Sequence, residues 1–305
     1  LIKQDRAGEA GGGRVYRDID LIDLSAPNED QTLSRLLANR SLLFGFEDVG
    51  LYLPLGMKHY YDALGTLGTV NLSFGLTPVS PEEIAAQQQV LDLFNVRHIL
   101  SRERLTLPAT TVIGEADGIF VLRNEDALPR AYWLRSYRCQ GDSCPADGTP
   151  SRATLGTGEG LGRGDSPEKV HDWLREADFD PHREVILEEA IPELAANQAP
   201  QAYEPLSIIS YESRRVVIES KQSTDGILVL ADTHYPGWEA HIDGQPTTIR
   251  RANGLFRAVY VPAGTHEVVF TYQPTSFRGG VIISLVSLLL LLLFSWRRGH
   301  LAPSK

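Results

Sequence analysis

The chain has 305 residues, 42% of them hydrophobic, and a formal net charge of −10. That length accommodates two domains with real cores, and that apolar content excludes wholesale disorder. The acidic balance excludes a nucleic-acid partner, since such binders present basic faces.

Residues 1–13 (LIKQDRAGEAGGG) have the composition of a flexible linker. The first residue is Leu and the one methionine is Met57, so a leader removed or a longer parent chain is expected upstream. Arg14–Leu24 alternates as a strand does, and Asn28 with Gln31 makes a capping box for a helix carrying Leu33, Leu36 and Leu37. A second helix is predicted over Pro54–Leu64. A third starts at Ser80 as N-cap, with Pro81 at N1, Glu83 at N3 and an apolar stripe of Ile84, Leu91 and Phe94. Strands follow at Val96–Leu100, Thr111–Ile113 and Ile119–Leu122. Residues 14–188 therefore read as an α+β domain. It is interrupted at 139–165 by a polar, Gly-rich loop that contains both cysteines of the chain, Cys139 and Cys144. A zinc site needs two further ligands and a redox pair is more often C-x-x-C, so an oxidised loop staple is the favoured reading, with two free thiols as the alternative. Ser166-Pro167 opens one more helix, with Val170, Trp173 and Leu174, and Glu184–Leu187 reads as a strand.

Residues 189–202, rich in Ala with two prolines, form the expected connector. From 203 to 274 seven short strands are predicted: 206–211, 215–220, 227–231, 238–242, 247–251, 255–261 and 267–272. Asp225-Gly226, Asp243-Gly244, Asn253-Gly254 and Ala263-Gly264 punctuate them, which suggests an antiparallel sandwich of immunoglobulin-like architecture. Within HYPGWEAHIDG (234–244), Trp238 shares a strand face with Ala240 and Ile242 and so reads as core. Tyr235 lies at the Pro-Gly bend. A flat platform for a sugar, made by Tyr235 and Trp238, is the competing reading.

From Gly279 to Trp296 no residue is charged, and Leu288–Leu293 are six leucines in a row. Eighteen helical residues rise about 27 Å, close to a hydrocarbon core of roughly 30 Å, so one transmembrane helix is expected over 279–296. Trp296 reads as an interfacial anchor. Arg297, Arg298 and Lys305 on one flank outnumber Arg278 on the other, so residues 297–305 form a cytoplasmic tail and residues 1–277 lie outside. Gln273-Pro274 leaves only a short link to the helix, which holds the sandwich against the outer leaflet.

Candidate chemistry is sparse. Asp18-Ile-Asp20 is formally a D-x-D acidic pair, although strand alternation places both carboxylates on a solvated face. Glu47 and Asp48, in GFEDVGLY, are candidates for ligand contact beside aromatics. The histidines have no metal-ligand spacing, no Gly-rich phosphate loop follows a strand, and no G-x-S-x-G occurs. Arg250, Arg251, Arg257 and Arg278 are cations close in sequence to the membrane, available to anionic headgroups or as ordinary surface charge. No catalytic residue, metal or cofactor is assigned.

The stretch 232–280 resembles the C-terminal region of the YfhO-like bacterial membrane proteins. The matching features are Tyr235–Trp238, Asp243-Gly244, Asn253-Gly254, Pro262–Gly264 and Pro274–Phe277, followed by a membrane helix. FNVRHIL (94–100) and ALPRAYW (127–133) resemble two further blocks in the same order. The resemblance implies a polytopic protein of the bacterial cytoplasmic membrane, similar to GT-C glycosyltransferases that use a polyprenyl-phosphate sugar and act outside the cytoplasm. It places the catalytic acids in early loops that have no counterpart in this sequence. The chain is then expected to support sugar transfer to an envelope glycan or lipid acceptor, its partners being the bilayer and, through the parent protein, the polyprenyl-phosphate sugar. A single-pass surface protein that binds a partner or glycan is the alternative.

Overall fold

The computed structural model describes the backbone of residues 14–18, 47, 69–71, 75–77, 81–86, 88–101, 103–116, 118–139, 174, 176, 178–194 and 200–300. The helices expected from Asn28, over Pro54–Leu64 and from Ser166 lie essentially outside them. Among the described residues the protein is mostly β, and no sheet closes on itself. The helices described over their length are α1 (Pro81–Ala86), α2 (Gln88–Leu93) and a long C-terminal α3 (Thr275–His300), and Leu174 is also helical.

A four-stranded sheet joins β1 (Arg14–Asp18), β4 (Val96–Ser101), β6 (Ile119–Asn124) and β5 (Thr110–Ala116), in that order. A small hairpin pairs β2 (Thr69–Asn71) with β3 (Gly75–Thr77). The remaining strands make two larger sheets. The seven-stranded one runs β10 (Glu204–Pro205), β7 (Ala131–Leu134), β13 (Gly226–Thr233), β17 (Phe256–Val261), β16 (Arg250–Ala252), β9 (Glu184–Leu187) and β8 (Ser136–Cys139). The five-stranded one runs β11 (Ser207–Glu212), β12 (Arg215–Gln222), β18 (Gly264–Tyr272), β14 (Trp238–Ile242) and β15 (Gln245–Thr247).

The two larger sheets pack face to face. Leu228, Leu230, Val259 and Val261 from one meet Val216, Ile218, Val268 and Phe270 from the other. The seven-stranded sheet is also covered on its second face. There Tyr132, Leu134, Ile227, Val229 and Ala258 join a core with Leu91, Phe94, Ile99 and Leu122 of α2 and the four-stranded sheet. Double coverage explains why β13 reads as an unbroken apolar run, Ile227–Ala231, rather than an alternation. It also explains where the strands come from. This sheet takes β7, β8 and β9 from the segment expected as a first domain, and β10, β13, β16 and β17 from the segment expected as the sandwich. Hydrogen bonds therefore run across the expected connector at 189–202.

Turn chemistry follows the sequence closely. Asp243 (φ 49°) and Gly244 (φ 79°) close the β14–β15 hairpin, and Asn253 (φ 50°) and Gly254 (φ 71°) close β16–β17. The first pair forms the two-residue hairpin that such positive φ values favour; the second is the centre of a turn closed by the Leu255 amide on the Ala252 carbonyl, in a three-residue connection. Asp243 is held there by accepting the Glu267 amide at 2.8 Å. Asn253, fully enclosed, accepts the Ile186 amide at 2.9 Å and so ties the β16–β17 turn to β9.

Gly226, the first residue of β13, lies under the Trp133 indole. A Cβ added there would stand 2.4 Å from the ring, and Trp133 is itself 2% exposed. Gly226→Ala is therefore expected to lower stability by about 1–3 kcal/mol through overpacking. The check is chemical denaturation of the full chain, and an unchanged midpoint would show that the ring relocates freely.

Candidate functional site: the junction of sandwich and helix

At one end of the sandwich a single carboxylate collects three guanidinium groups. Asp232, near the end of β13, is in phase with Leu228 and Leu230 and is 6% exposed. Arg130, just before β7, donates to its Oδ1 through Nη2 at 2.8 Å and Nε at 3.0 Å. Arg14 of β1 reaches the same oxygen at 3.3 Å, and Arg257 of β17 lies 3.1 Å from Oδ2. The Tyr211 hydroxyl of β11 donates at 3.0 Å. Burial alone would raise the Asp232 pKa, but Arg130, Arg14 and Arg257 outweigh it and hold the carboxyl below its ordinary range. Burial has the larger effect on Arg257 and lowers its pKa to about 10, offset only in part by Asp232.

Glu47 belongs to this cluster. Its Oε2 accepts from Arg130 at 2.6 Å and lies 3.6 Å from the Arg14 Nε. Glu47, a candidate for ligand contact, is the second counter-charge in an arginine cage, and its side chain stays 43% exposed. Asp48 lies outside the described residues, as does Asp20. The backbone of Asp18 ends β1.

The aromatic bend sits directly over this cage. The Arg257 guanidinium stacks at 3.8 Å on the Trp238 ring and lies 5.5 Å from Phe270. Trp238 is half-buried and packs on the core between the two large sheets. Its ring centroid is 5.4 Å from that of Tyr272, and Tyr235, 44% exposed, is 6.4 Å from the same tyrosine. Gly237, with φ 101°, lets the bend lie flat on the end of β18. A Cβ there would meet Pro274 and Tyr272 at 3.1 Å, and the Gly237 carbonyl accepts the Gln273 amide at 2.6 Å. The bend thus grips the two residues that lead into α3. On its outer side it lines an open cleft of about 300 Å³ with His234, Tyr235, Trp238, Glu239, His241 and Thr247.

Three of the cations expected to meet anionic headgroups or to be ordinary surface charge have protein partners. Arg257 is internal, Arg251 pairs with Glu188 at 3.1 Å, and Arg250 donates to the Ala190 carbonyl. Arg14, Arg130, Tyr211 and Asp232 were not anticipated at all. Phase supplied the missed signal: Arg257 alternates in register with core residues Val259 and Val261, as Asp232 does with Leu228 and Leu230.

Cys139 is buried at the end of β8 and is disulfide-bonded; Cys144, the other cysteine of the sequence, lies outside the described residues. Among the described residues no cluster of His, Cys, Asp and Glu has the makings of a metal centre.

α3 starts at Thr275, separated from the last sandwich strand only by Gln273 and Pro274. Val281, Ile283 and Leu285 through Leu293, apart from Ser287, are large apolar residues at least 42% exposed. The side chains of Arg278, Trp296, Arg297 and Arg298 are not among those described. Among the described residues, no helix is long and apolar enough to cross a membrane; the described side chains from 279 to 293 correspond to about 22 Å of rise.

Residues 193–284 match the model of a family described as bacterial membrane protein YfhO. Over 90 residues the chain is 30% identical to a protein of Bacillus subtilis (strain 168) named uncharacterized protein YfhO. That alignment covers 30% of this chain and 10% of the relative, so the chain spans about a tenth of the relative's length. No solved structure matches.

Proposed function

We propose that this chain, YfhO-like over residues 193–284, acts as an extracytoplasmic module fixed to the outer face of a bacterial cytoplasmic membrane by α3. Its role there is to hold an envelope glycan or lipid acceptor while a polyprenyl-phosphate-linked sugar is transferred by membrane-embedded parts of a YfhO-like protein. The bond-making residues lie elsewhere. The observation that carries the reading is the exposed leucine-rich helix that follows the last sandwich strand after only two residues. Apolar side chains in such number are stable when covered, and a bilayer covers a helix with no polar face.

Acceptor positioning is assigned to the cleft beside Tyr235. An open, aromatic-edged cleft with His, Glu and Thr at its rim offers a ring face for stacking and donors and acceptors for hydroxyl groups. Trp238 supports the cleft from beneath, one face against Arg257.

Two measurements test the reading separately. For topology, Ser207→Cys places a thiol at an exposed position of β11. An impermeant maleimide is expected to label it in intact cells, and labelling only after lysis would reverse the sidedness. For binding, envelope oligosaccharides titrated into the full chain are expected to saturate. Tyr235→Ala should weaken them about three- to tenfold while near-UV circular dichroism stays unchanged. Equal binding by the variant would remove the cleft from the proposal.

A further inference from the structure

On the opposite side of Tyr272 from the bend, a second groove lies between the sandwich and the base of α3. It encloses about 790 Å³ and is lined by Arg214 and Pro274 from the sandwich side and by Gly280, Val281, Ser284 and Leu285 of the helix, with Tyr272 at its back. Its composition is graded. Arg214, in the β11–β12 turn, supplies one cation at the sandwich end; Val281 and Leu285 supply an apolar wall along the helix, with Ser284 between them. The Arg214 backbone is fixed, since its carbonyl accepts the Tyr272 amide at 2.9 Å. Its exposed side chain pairs with no carboxylate among the described residues. At Gly280 a Cβ would meet nothing within 4 Å, so the groove is open there.

We propose that this groove seats an anionic phospholipid of the leaflet facing the sandwich, with its phosphate on Arg214 and the start of one acyl chain along Val281 and Leu285. The proposal rests on α3 entering the membrane, as proposed above. The helix fixes the depth: the groove occupies its first turns, and the six exposed leucines begin immediately beyond, at Leu288. A charged head above an apolar chain matches that order, whereas a free anion uses only the Arg214 end. The net charge of −10 works against general attraction to an anionic surface, so a preference for such a lipid requires a local cation.

The test uses the full chain extracted in detergent and measured by native mass spectrometry after incubation with phosphatidylglycerol, phosphatidylcholine or inorganic phosphate. Partitioning of the chain into detergent micelles is scored first. A chain that stays in the aqueous phase refutes membrane entry itself, and the groove proposal falls with it. For a micelle-bound chain, phosphatidylglycerol is expected to be retained in preference to phosphatidylcholine by about fivefold, the worth of one arginine near a lipid surface. Arg214→Gln should abolish that preference, while Arg215→Gln, one residue along and outside the groove, should leave it intact. Gly280→Leu, which fills the open wall, should reduce retention of both lipids. Equal retention of the two lipids by the unaltered chain overturns the proposal, as does an equal loss of preference from Arg215→Gln. Full displacement of phosphatidylglycerol by inorganic phosphate overturns the lipid as occupant.

Discussion

Asp232→Ala is expected to lower the stability of the protein by about 3–5 kcal/mol, the usual consequence of removing one partner from a buried ionic cluster. Three guanidinium groups converge on this carboxylate from β1, from the segment before β7 and from β17, and Tyr211 adds a hydrogen bond from β11. Without it, Glu47 is the remaining carboxylate against Arg14, Arg130 and Arg257 among the described residues. The loss should appear as a lower urea midpoint at neutral pH. The acid limb is informative too. Because the folded carboxyl is held below its ordinary range, its contribution is complete above that range and fades as pH falls through the folded value. Asp232→Asn keeps the shape and loses the charge, so it should follow Asp232→Ala in direction. A midpoint unchanged in both would mean that the arginines repack at no penalty.

Asp92→Asn should do the opposite and stabilise the protein at neutral pH by about 1–3 kcal/mol. Asp92 in α2 is 3% exposed, and among the described residues no guanidinium balances its charge. Burial pushes its pKa up to about 6, with the Asn124 and Gln88 hydrogen bonds, at 2.7 and 3.3 Å, restraining the rise only in part. The sign is clear. Between the ordinary value of 3.8 and about 6 the folded state holds a proton that the unfolded chain has released, so stability falls as pH rises through that window. Asparagine offers a carbonyl oxygen to the same two donors and has no proton to lose. The pH 4–6 slope of the urea midpoint should therefore flatten in the variant. A destabilised variant with the slope retained would show that the carboxylate's hydrogen bonds outweigh its desolvation.

These two aspartates mark the boundary of what the sequence discloses. Local features are readable: Glu184–Leu187 is a strand with the expected limits, Val96 opens one, and Asp243-Gly244 and Asn253-Gly254 adopt the required positive φ, whereas Gly226 of Asp225-Gly226 already begins β13. Each is decided within a few residues by propensity and turn chemistry. The seven-stranded sheet is not of that kind. Tyr132 pairs with Val229, nearly a hundred positions away, and nothing in Ala131–Leu134 names its neighbour. The α+β expectation for the first segment rested on helices that fall mostly outside the described residues, and what is described there is largely strand. The cage was partly legible. A charged residue in phase with core valines, as Arg257 is, predicts a buried counter-ion, although not which aspartate provides it. Trp238 was read as core from the same alternation and lies half-buried over Arg257.

The shared sheet also sets the order in which the protein can assemble during synthesis. β7 has two hydrogen-bonded neighbours, β10 and β13, and both are made after it. Until residues 204–205 and then 226–233 emerge, the apolar segment Ala131–Leu134 lacks both of its partners among the described strands, and its side chains must wait uncovered or in transient company. Such long-range closure slows folding. A protein built this way can pair the four strands of its first sheet early, yet it completes the seven-stranded sheet only after the last third of the chain has been made.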